Sequence, residues 1–317
     1  MVAAVTTAPR SVAVLGAGSI GVAFAVLFAG KGFQVRLYDP VDGAPARAGA
    51  ELTARLDALA ARGLLGEDAA TVAARVRFTA DLVEAVSPAC FVQECAPERV
   101  EIKRELLRQS GLHTSADVPL ASSTSAIVPG ALAADLGDVA ERILVGHPGN
   151  PPYLLPVIEV VPSSRTAAPI VETTMGIYRA SDLRPVLVRR EVEGFVFNRL
   201  QGALLREAYC LVRDGVADVD DIDEVVRSGL GRRWSVIGPF ETADLNTRGG
   251  LASHAEKMGP AYERMGAERG QHDPWTPELV ATATEQRRKL LDLADWEARV
   301  AWRDEQLMGL RAVLDQP

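Results

Sequence analysis

The chain has 317 residues, 48% of them hydrophobic and 24% charged, enough to bury the cores of two domains and too apolar for global disorder. Its formal net charge of −8 argues against a general nucleic-acid binder, which carries a basic stripe, yet leaves room for a local arginine pocket around an anionic substrate. The cysteines (Cys90, Cys95, Cys210) form no disulfide framework and the histidines (His113, His147, His254, His272) show no metal-ligand spacing, so reduced thiols, a cytoplasmic location and no metal are expected.

The first ten residues read as a frayed start. Residues 12–15 read as a strand, 20–29 as a helix and 34–38 as a second strand. The run 11–30 carries no charge. Its glycines and the strand that follows make it a buried strand, tight turn and buried helix rather than a membrane span or a signal-peptide core. Alanine, leucine and arginine at helical spacing over 46–62 and 69–74 predict a helical pair set into the sheet topology. Short apolar strands recur at 89–92, 119–121, 143–145, 157–161 and 185–188, with helical stretches at 98–108, 129–135 and 169–180 between them. This alternation predicts an α/β fold: a Rossmann-type, doubly wound, mostly parallel sheet with helices on both faces. Beyond Arg190 no strand pattern remains, and 195–214, 219–228, 251–269 and 277–314 read as helix. The expected organisation is a nucleotide-binding domain over 1–191 and an all-α domain over 192–317.

Gly16-Ala17-Gly18-Ser19-Ile20-Gly21 is a GxGxxG motif that follows a strand and opens a helix, the context the motif requires. Gly16 permits the tight turn, Gly18 lets a pyrophosphate approach the backbone, and Gly21 lets the helix pack close to the strand. The helix start at Ser19 and Ile20 presents free N–H groups and a positive dipole end to phosphate. Asp39 ends the second strand about 20 residues on, where a carboxylate accepts bonds from adenosine ribose hydroxyls and repels a 2′-phosphate. The cofactor is therefore expected to be NAD rather than NADP; FAD shares the fingerprint, but no second flavin-type motif accompanies it.

Three later segments are small, polar and unusual: Ala121-Ser122-Ser123-Thr124-Ser125, Gly146-His147-Pro148-Gly149-Asn150-Pro151-Pro152, and Glu193-Gly194-Phe195-Val196-Phe197-Asn198-Arg199-Leu200. The first two follow strands and so lie at carboxyl ends of the sheet, where ligands bind. Oxidation of an alcohol by NAD needs a base for the hydroxyl proton, and histidine titrates near neutrality. His147 is the candidate. Glu159, a charge inside an apolar strand, is the candidate partner, since buried charges are rarely left unpaired. By themselves Ser125 and Asn198 are equally a turn hydroxyl and a helix-start amide.

Taken in order, GAGSIG, VQECAPERVEIK, SSTS, GHPGNPP, VIEVV, GFVFNR and IGPF resemble the 3-hydroxyacyl-CoA dehydrogenase superfamily from Val12 to Phe240. HPGNPP, the run GLGRRWSVIGPFETADLN over 229–246, Trp302-Arg303-Asp304-Glu305 and the total length are most similar to its lambda-crystallin / L-gulonate 3-dehydrogenase branch. The resemblance implies Ser125 as the serine that bonds the substrate oxygen, His147 as general acid/base, Glu159 as its orienting carboxylate, and Asn198 as a positioning amide. It implies Glu98 and Lys103 near the NAD ribose and nicotinamide; from the residues alone they are equally a solvated helix face. It implies Arg233 as the fork for a substrate carboxylate, against an ordinary surface arginine. The activity it implies is interconversion of the 3-hydroxyl and 3-keto group of a small, L-gulonate-like hydroxy acid. Pro148 and Gly149 stand where acyl-CoA dehydrogenases carry aromatic residues, and no basic cluster offers itself to the phosphates of CoA, so a 3-hydroxybutyryl-CoA-type substrate is the alternative. A carnitine-type enzyme would want an aromatic or acidic pocket for its quaternary ammonium, and a non-catalytic, crystallin-like NAD binder is the alternative of another class. A homodimer built through the C-terminal helices, with apolar stretches at 290–293 and 307–314, is expected.

Overall fold

The computed structural model describes residues 10–235, 238–245 and 250–270, and beyond them 278, 292–295, 298, 301–302, 305, 308–309 and 312–313. Two compact units divide the chain, one comprising 1–198 with 302–317 and the other 199–301.

The first unit opens with β1 (Ser11–Leu15), α1 (Ser19–Gly30), β2 (Gln34–Tyr38), α2 (Ala44–Ala61), α3 (Ala69–Ala73) and β3 (Val76–Thr79). It continues with α4 (Leu82–Val86), β4 (Phe91–Glu94), α5 (Val100–Leu112), β5 (Leu120–Ser122) and α6 (Pro129–Ala133). After a 3-10 turn come β6 (Ile143–Pro148), β7 (Val157–Pro162), α7 (Ala168–Ala180) and β8 (Arg184–Leu187). The strands form one sheet in the order β3-β2-β1-β4-β5-β6-β7-β8. Every pairing is parallel except β6 with β7. The order reverses at β1, which pairs with both β2 and β4, so the ligand crevice of a doubly wound sheet opens at their carboxyl ends.

Alternation along the strands sends side chains to opposite faces. Val12 and Val14 join one buried cluster with α1, α2 and α7, while Ala13 and Leu15 join a second with α4, α5 and α6. The uncharged run is thereby explained. From Gly21 to Ala29 every residue of α1 is buried, and Phe24 and Phe28 stack with ring centroids 5.7 Å apart. Burial of two such rings contributes roughly 1.5–3 kcal/mol each. Among the described residues no helix is long and apolar enough to cross a membrane.

Within the sheet domain two elements are additional to the sequence expectation, as two short helices, Gly231–Trp234 and Pro239–Leu245, are in the helical part described below. β3 and α4 were not anticipated: β3 is a four-residue edge strand with exposed Arg77 in its middle, and α4 is a five-residue helix, too short to display a period. Asp81 caps α4 by accepting from the amides of Val83 and Glu84 at 2.8 and 3.1 Å.

In the second unit α8 (Phe197–Arg213, which begins in the first unit), α9 (Val219–Glu224), a π-turn (Val225–Leu230), α10 (Gly231–Trp234), α11 (Pro239–Leu245) and α12 (Gly250–Arg269) follow. The continuous helix expected over 277–314 is interrupted at Asp292, whose carboxylate caps the amide of Ala294 at 2.9 Å and starts a short 3-10 turn, Leu293–Asp295. The rest of that stretch lies mostly outside the described residues. Near the end of the chain, Met308 is buried in the first unit's core and Glu305 pairs with Arg62.

Candidate active site

The glycine turn joins β1 to α1. Gly16 has φ +108, and a Cβ there would lie 2.7 Å from the carbonyl oxygen of Cys95. A Cβ on Gly21 would lie 1.8 Å from the carbonyl oxygen of Gly16, so the first turn of α1 packs against the loop that precedes it. Gly18 is different. Its φ of −75 suits any residue, and a Cβ would meet nothing within 4 Å. The fold itself does not require glycine there, and the bare backbone leaves room for a pyrophosphate to approach. Asp39 sits just beyond β2, where its carboxylate accepts from the amides of Ala17 at 2.9 Å and Val41 at 3.0 Å. Gly16 donates its amide to the carbonyl of Tyr38 at 2.7 Å, so the turn and the end of β2 are tied together. Ser19 opens α1, followed by Ile20, and Arg55 from α2 donates to the Ser19 hydroxyl at 2.7 Å and to its carbonyl at 3.0 Å. These residues fit a dinucleotide.

Farther along the sheet, β6 and β7 place His147 directly opposite Glu159 in the antiparallel register. His147 Nδ1 lies 2.8 Å from Glu159 Oε2, and the residues are 5% and 3% exposed. The other carboxylate oxygen of Glu159 accepts from the amides of Val196 at 2.7 Å and Phe197 at 2.9 Å. Those amides are presented by a backbone that turns through the left-handed region at Gly194 (φ 74) and Phe195 (φ 50). A non-glycine residue there is strained, and the strain aims two donors at one oxygen. The rings of Phe195 and Phe197 flank the imidazole at 5.5 and 6.0 Å. Among the described residues no hydrogen-bonding partner meets His147 Nε2.

The 122–127 loop carries Ser125, which is exposed. Its amide donates to Glu98 Oε1 at 3.1 Å and its carbonyl accepts from Asn198 Nδ2 at 3.1 Å. Glu98 also receives the Thr124 hydroxyl and the amide of Ala126 at 3.3 Å. Burial raises the Glu98 carboxyl, but the Thr124 hydroxyl and the Lys103 ammonium outweigh it and hold the carboxyl below its ordinary range. Lys103 is 1% exposed and buried beside Glu94, which ends β4. Cys95, the next residue, has its thiol pushed up to about 12 by burial and stays protonated at neutral pH. Arg233 is exposed on α10, in the second unit.

Glu94, Arg55, Thr124, Phe195 and Phe197 were missed by sequence reasoning. Only Glu94 carried a signal, a carboxylate within the buried strand FVQE, the same signature that marks Glu159.

A Rossmann-type sheet with this glycine turn defines a dinucleotide-dependent oxidoreductase. Within that class the chain belongs to the 3-hydroxyacyl-CoA dehydrogenase family: residues 11–192 match the model of its NAD binding domain and residues 194–291 that of its C-terminal domain. It is 38% identical to a lambda-crystallin homolog of Bos taurus, covering 98% of each chain. It is 40% identical to the L-carnitine dehydrogenase of Pseudomonas aeruginosa over 86% of this chain and 82% of that one. The solved structure of 5-formyl-3-hydroxy-2-methylpyridine 4-carboxylic acid 5-dehydrogenase, an NAD+-dependent dismutase, superposes with a TM-score of 0.81 at 32% identity, covering 97% of this chain and 99% of that one. The protein is thus an NAD-dependent oxidoreductase acting on CH–OH groups, and its cofactor is NAD.

Proposed function

We propose that the protein interconverts the 3-hydroxyl and 3-keto group of a small free hydroxy acid of the L-gulonate type. The observation that carries the chemistry is the buried hydrogen bond between His147 and Glu159. Glu159 keeps the His147 proton on Nδ1, which leaves Nε2 with a lone pair to take the substrate's hydroxyl proton. The imidazolium that forms is stabilised by the same carboxylate, itself fixed by two backbone amides. Bound NAD supplies the hydride acceptor. Ser125 bonds the reacting oxygen and Asn198 positions the loop that carries it. Arg233 receives the substrate carboxylate, for which its planar fork suits a bidentate pair. In the reducing direction the roles run backwards.

A free acid is favoured over an acyl-CoA by the turn after His147. A Cβ on Gly149 would meet Leu155 at 3.0 Å, so Pro148-Gly149 forms a tight corner where acyl-CoA enzymes carry aromatic side chains. L-carnitine is the second reading. It too is a free 3-hydroxy acid; the 40% identity to a carnitine dehydrogenase and the half-buried ring of Phe197 beside His147 favour it.

In this reading 1–191 is the NAD module and 192–317 carries substrate and subunit contacts. Leu200, Leu204 and Leu205 are exposed on α8 and are the apolar surface a homodimer would cover. Light scattering should give twice the chain mass.

The deciding assay follows NADH absorbance with L-gulonate, L-3-hydroxybutyrate, L-carnitine and, in reverse, acetoacetyl-CoA, on wild type and His147→Ala. Turnover of L-gulonate that the variant loses supports the reading. Turnover of acetoacetyl-CoA alone overturns it, and a strong preference for L-carnitine selects the second reading.

A further inference from the structure

We infer that Glu191 is a positioning residue that fastens the loop carrying Ser125 to the same stretch of chain that holds the His147–Glu159 pair. The serine loop runs into α6, and the start of that helix explains the need. Val128, the residue before it, has no side-chain oxygen to cap with, and Pro129 has no N–H to be capped. The amides of Ala131 and Leu132 turn back to the carbonyl of Val128 at 3.0 and 3.4 Å. Gly130 is left as the first-turn donor that needs a partner from elsewhere. It donates to Glu191 Oε2 at 2.8 Å, across 61 residues of sequence. A Cβ on Gly130 would stand 2.8 Å from Glu191 Oε1 and 3.0 Å from Oε2, so glycine at this position is the room that the carboxylate fills.

The segment that Glu191 opens has other holds on the site. It leaves β8 with the amide of Val188 on the carbonyl of Val160, in the strand that carries Glu159. Its Val196 and Phe197 amides fix the Glu159 carboxylate, and its Phe195 and Phe197 rings flank His147. Its last residue, Asn198, donates to the Ser125 carbonyl at 3.1 Å. Ser125 is thus joined to 198 and Gly130 to 191, so the two stretches run in opposite directions with a fastening at each end. Glu98 holds the start of the serine loop, and Glu191 holds its far end. The bond from Asn198 is exposed, and without Glu191 it alone ties the serine loop to the segment behind the histidine. A reacting group displaced by about 1 Å costs up to ~100-fold in rate, which is what a second fastening guards against.

The effect on turnover rests on the role proposed for Ser125; the fastening itself does not. The test uses the full chain with Glu191→Ala, Glu191→Gln, Ser125→Ala and the double variant of Glu191→Ala with Ser125→Ala. Two quantities are read: kcat with its pH profile, on whichever substrate wild type turns over, and hydrogen exchange by mass spectrometry over peptides spanning 126–133 and 194–198. Glu191→Ala should lower kcat about 10- to 100-fold and leave the His147 limb of the pH profile in place, because both amides still hold Glu159. Glu191→Gln, whose amide oxygen still accepts from Gly130, should restore kcat to within about threefold. In the Ser125→Ala background, Glu191→Ala should cost less than about threefold more. Exchange over 126–133 should quicken about tenfold or more while 194–198 keeps its protection. Losses that multiply in the double variant, or a displaced pH limb, overturn the inference by giving Glu191 another route of action. So does a Glu191→Ala enzyme of wild-type kcat when Ser125→Ala is impaired. If Ser125→Ala is itself unimpaired, or wild type turns over none of the panel, the reading of the site fails and exchange decides the fastening: unchanged exchange over 126–133 overturns it. Should Glu191→Ala not fold, Gly130→Ala pushes the carboxylate aside and keeps its charge. A matching loss of kcat and of protection supports the fastening, and wild-type values in both overturn it.

Discussion

Replacing Glu159 by glutamine changes almost no atoms and reverses the logic of the histidine. Glu159 accepts from His147 Nδ1 at 2.8 Å and from the amides of Val196 and Phe197 at 2.7 and 2.9 Å. The two backbone donors require a carbonyl, so the glutamine oxygen stays with them and its NH2 group turns to His147. An NH2 group donates. Nδ1 must then accept, the ring proton moves to Nε2, and a protonated Nε2 takes no proton from a hydroxyl. The variant also loses the charge that stabilises the imidazolium. Together these cost about 10³- to 10⁴-fold in kcat, or ~4–5.5 kcal/mol of barrier. Stability should fall by only ~1 kcal/mol, since both backbone bonds survive. Steady-state kinetics by NADH absorbance, paired with an NADH titration and a thermal melt, separates these effects. A Glu159→Gln enzyme that keeps kcat within about tenfold of wild type refutes the tautomer argument, because the loss of a general base alone costs more.

The glycine turn offers a matched pair. Gly21→Ala forces a Cβ to within 1.8 Å of a carbonyl oxygen and should cost ~3 kcal/mol or more in a thermal melt. Gly18→Ala meets nothing within 4 Å, so stability should stay within ~0.5 kcal/mol while NADH affinity drops about tenfold or more; unchanged affinity would remove the pyrophosphate from Gly18. Asp39→Asn removes the charge that repels a 2′-phosphate, and the ratio of NADPH to NADH dissociation constants should fall about tenfold. In the second unit, hydrogen bonds from Arg213 and then Arg269 hold the Asp214 carboxyl down at about 2 against an ordinary 3.8. A depressed folded value means stability present above the unfolded value and lost as pH falls from 3.8 toward about 2. Arg269→Gln should flatten that part of an acid-denaturation curve, and added salt should do the same in wild type.

Local constraints are what made parts of this molecule legible. The glycine turn is specified within six residues by steric demands on Gly16 and Gly21, and the unbroken apolar run of α1 matches its burial on all sides. His147 and Glu159 were readable because a polar residue in an apolar strand must find a partner. The Lys103 environment was not. Glu98 precedes α5 and Lys103 lies in it, five residues on, a charged stretch that reads as a solvated face, and only the meeting of β4, β5 and α5 buries the lysine. Phe195 gave no sign of its left-handed backbone, because bulky aromatic residues rarely adopt it and the reason lies in Glu159 on another strand.

The antiparallel step between β6 and β7 follows from chain length. A parallel neighbour needs a crossover of a dozen or more residues, usually a helix. The connection over 149–156 is shorter than that and contains no helix, so β7 has to return alongside β6 in the opposite sense. The reversal decides the site. His147 stands next to the last residue of β6, at the end of the sheet where the glycine turn also lies. In an antiparallel pair the start of β7 occupies that same end, which sets Glu159, third in its strand, opposite the histidine. A parallel β7 would have started at the far end of the sheet and carried Glu159 away from His147. The tight corner built by Pro148 and Gly149 is therefore as much a condition for the acid/base pair as the two side chains are, and lengthening it by insertion should cost activity before it costs the fold.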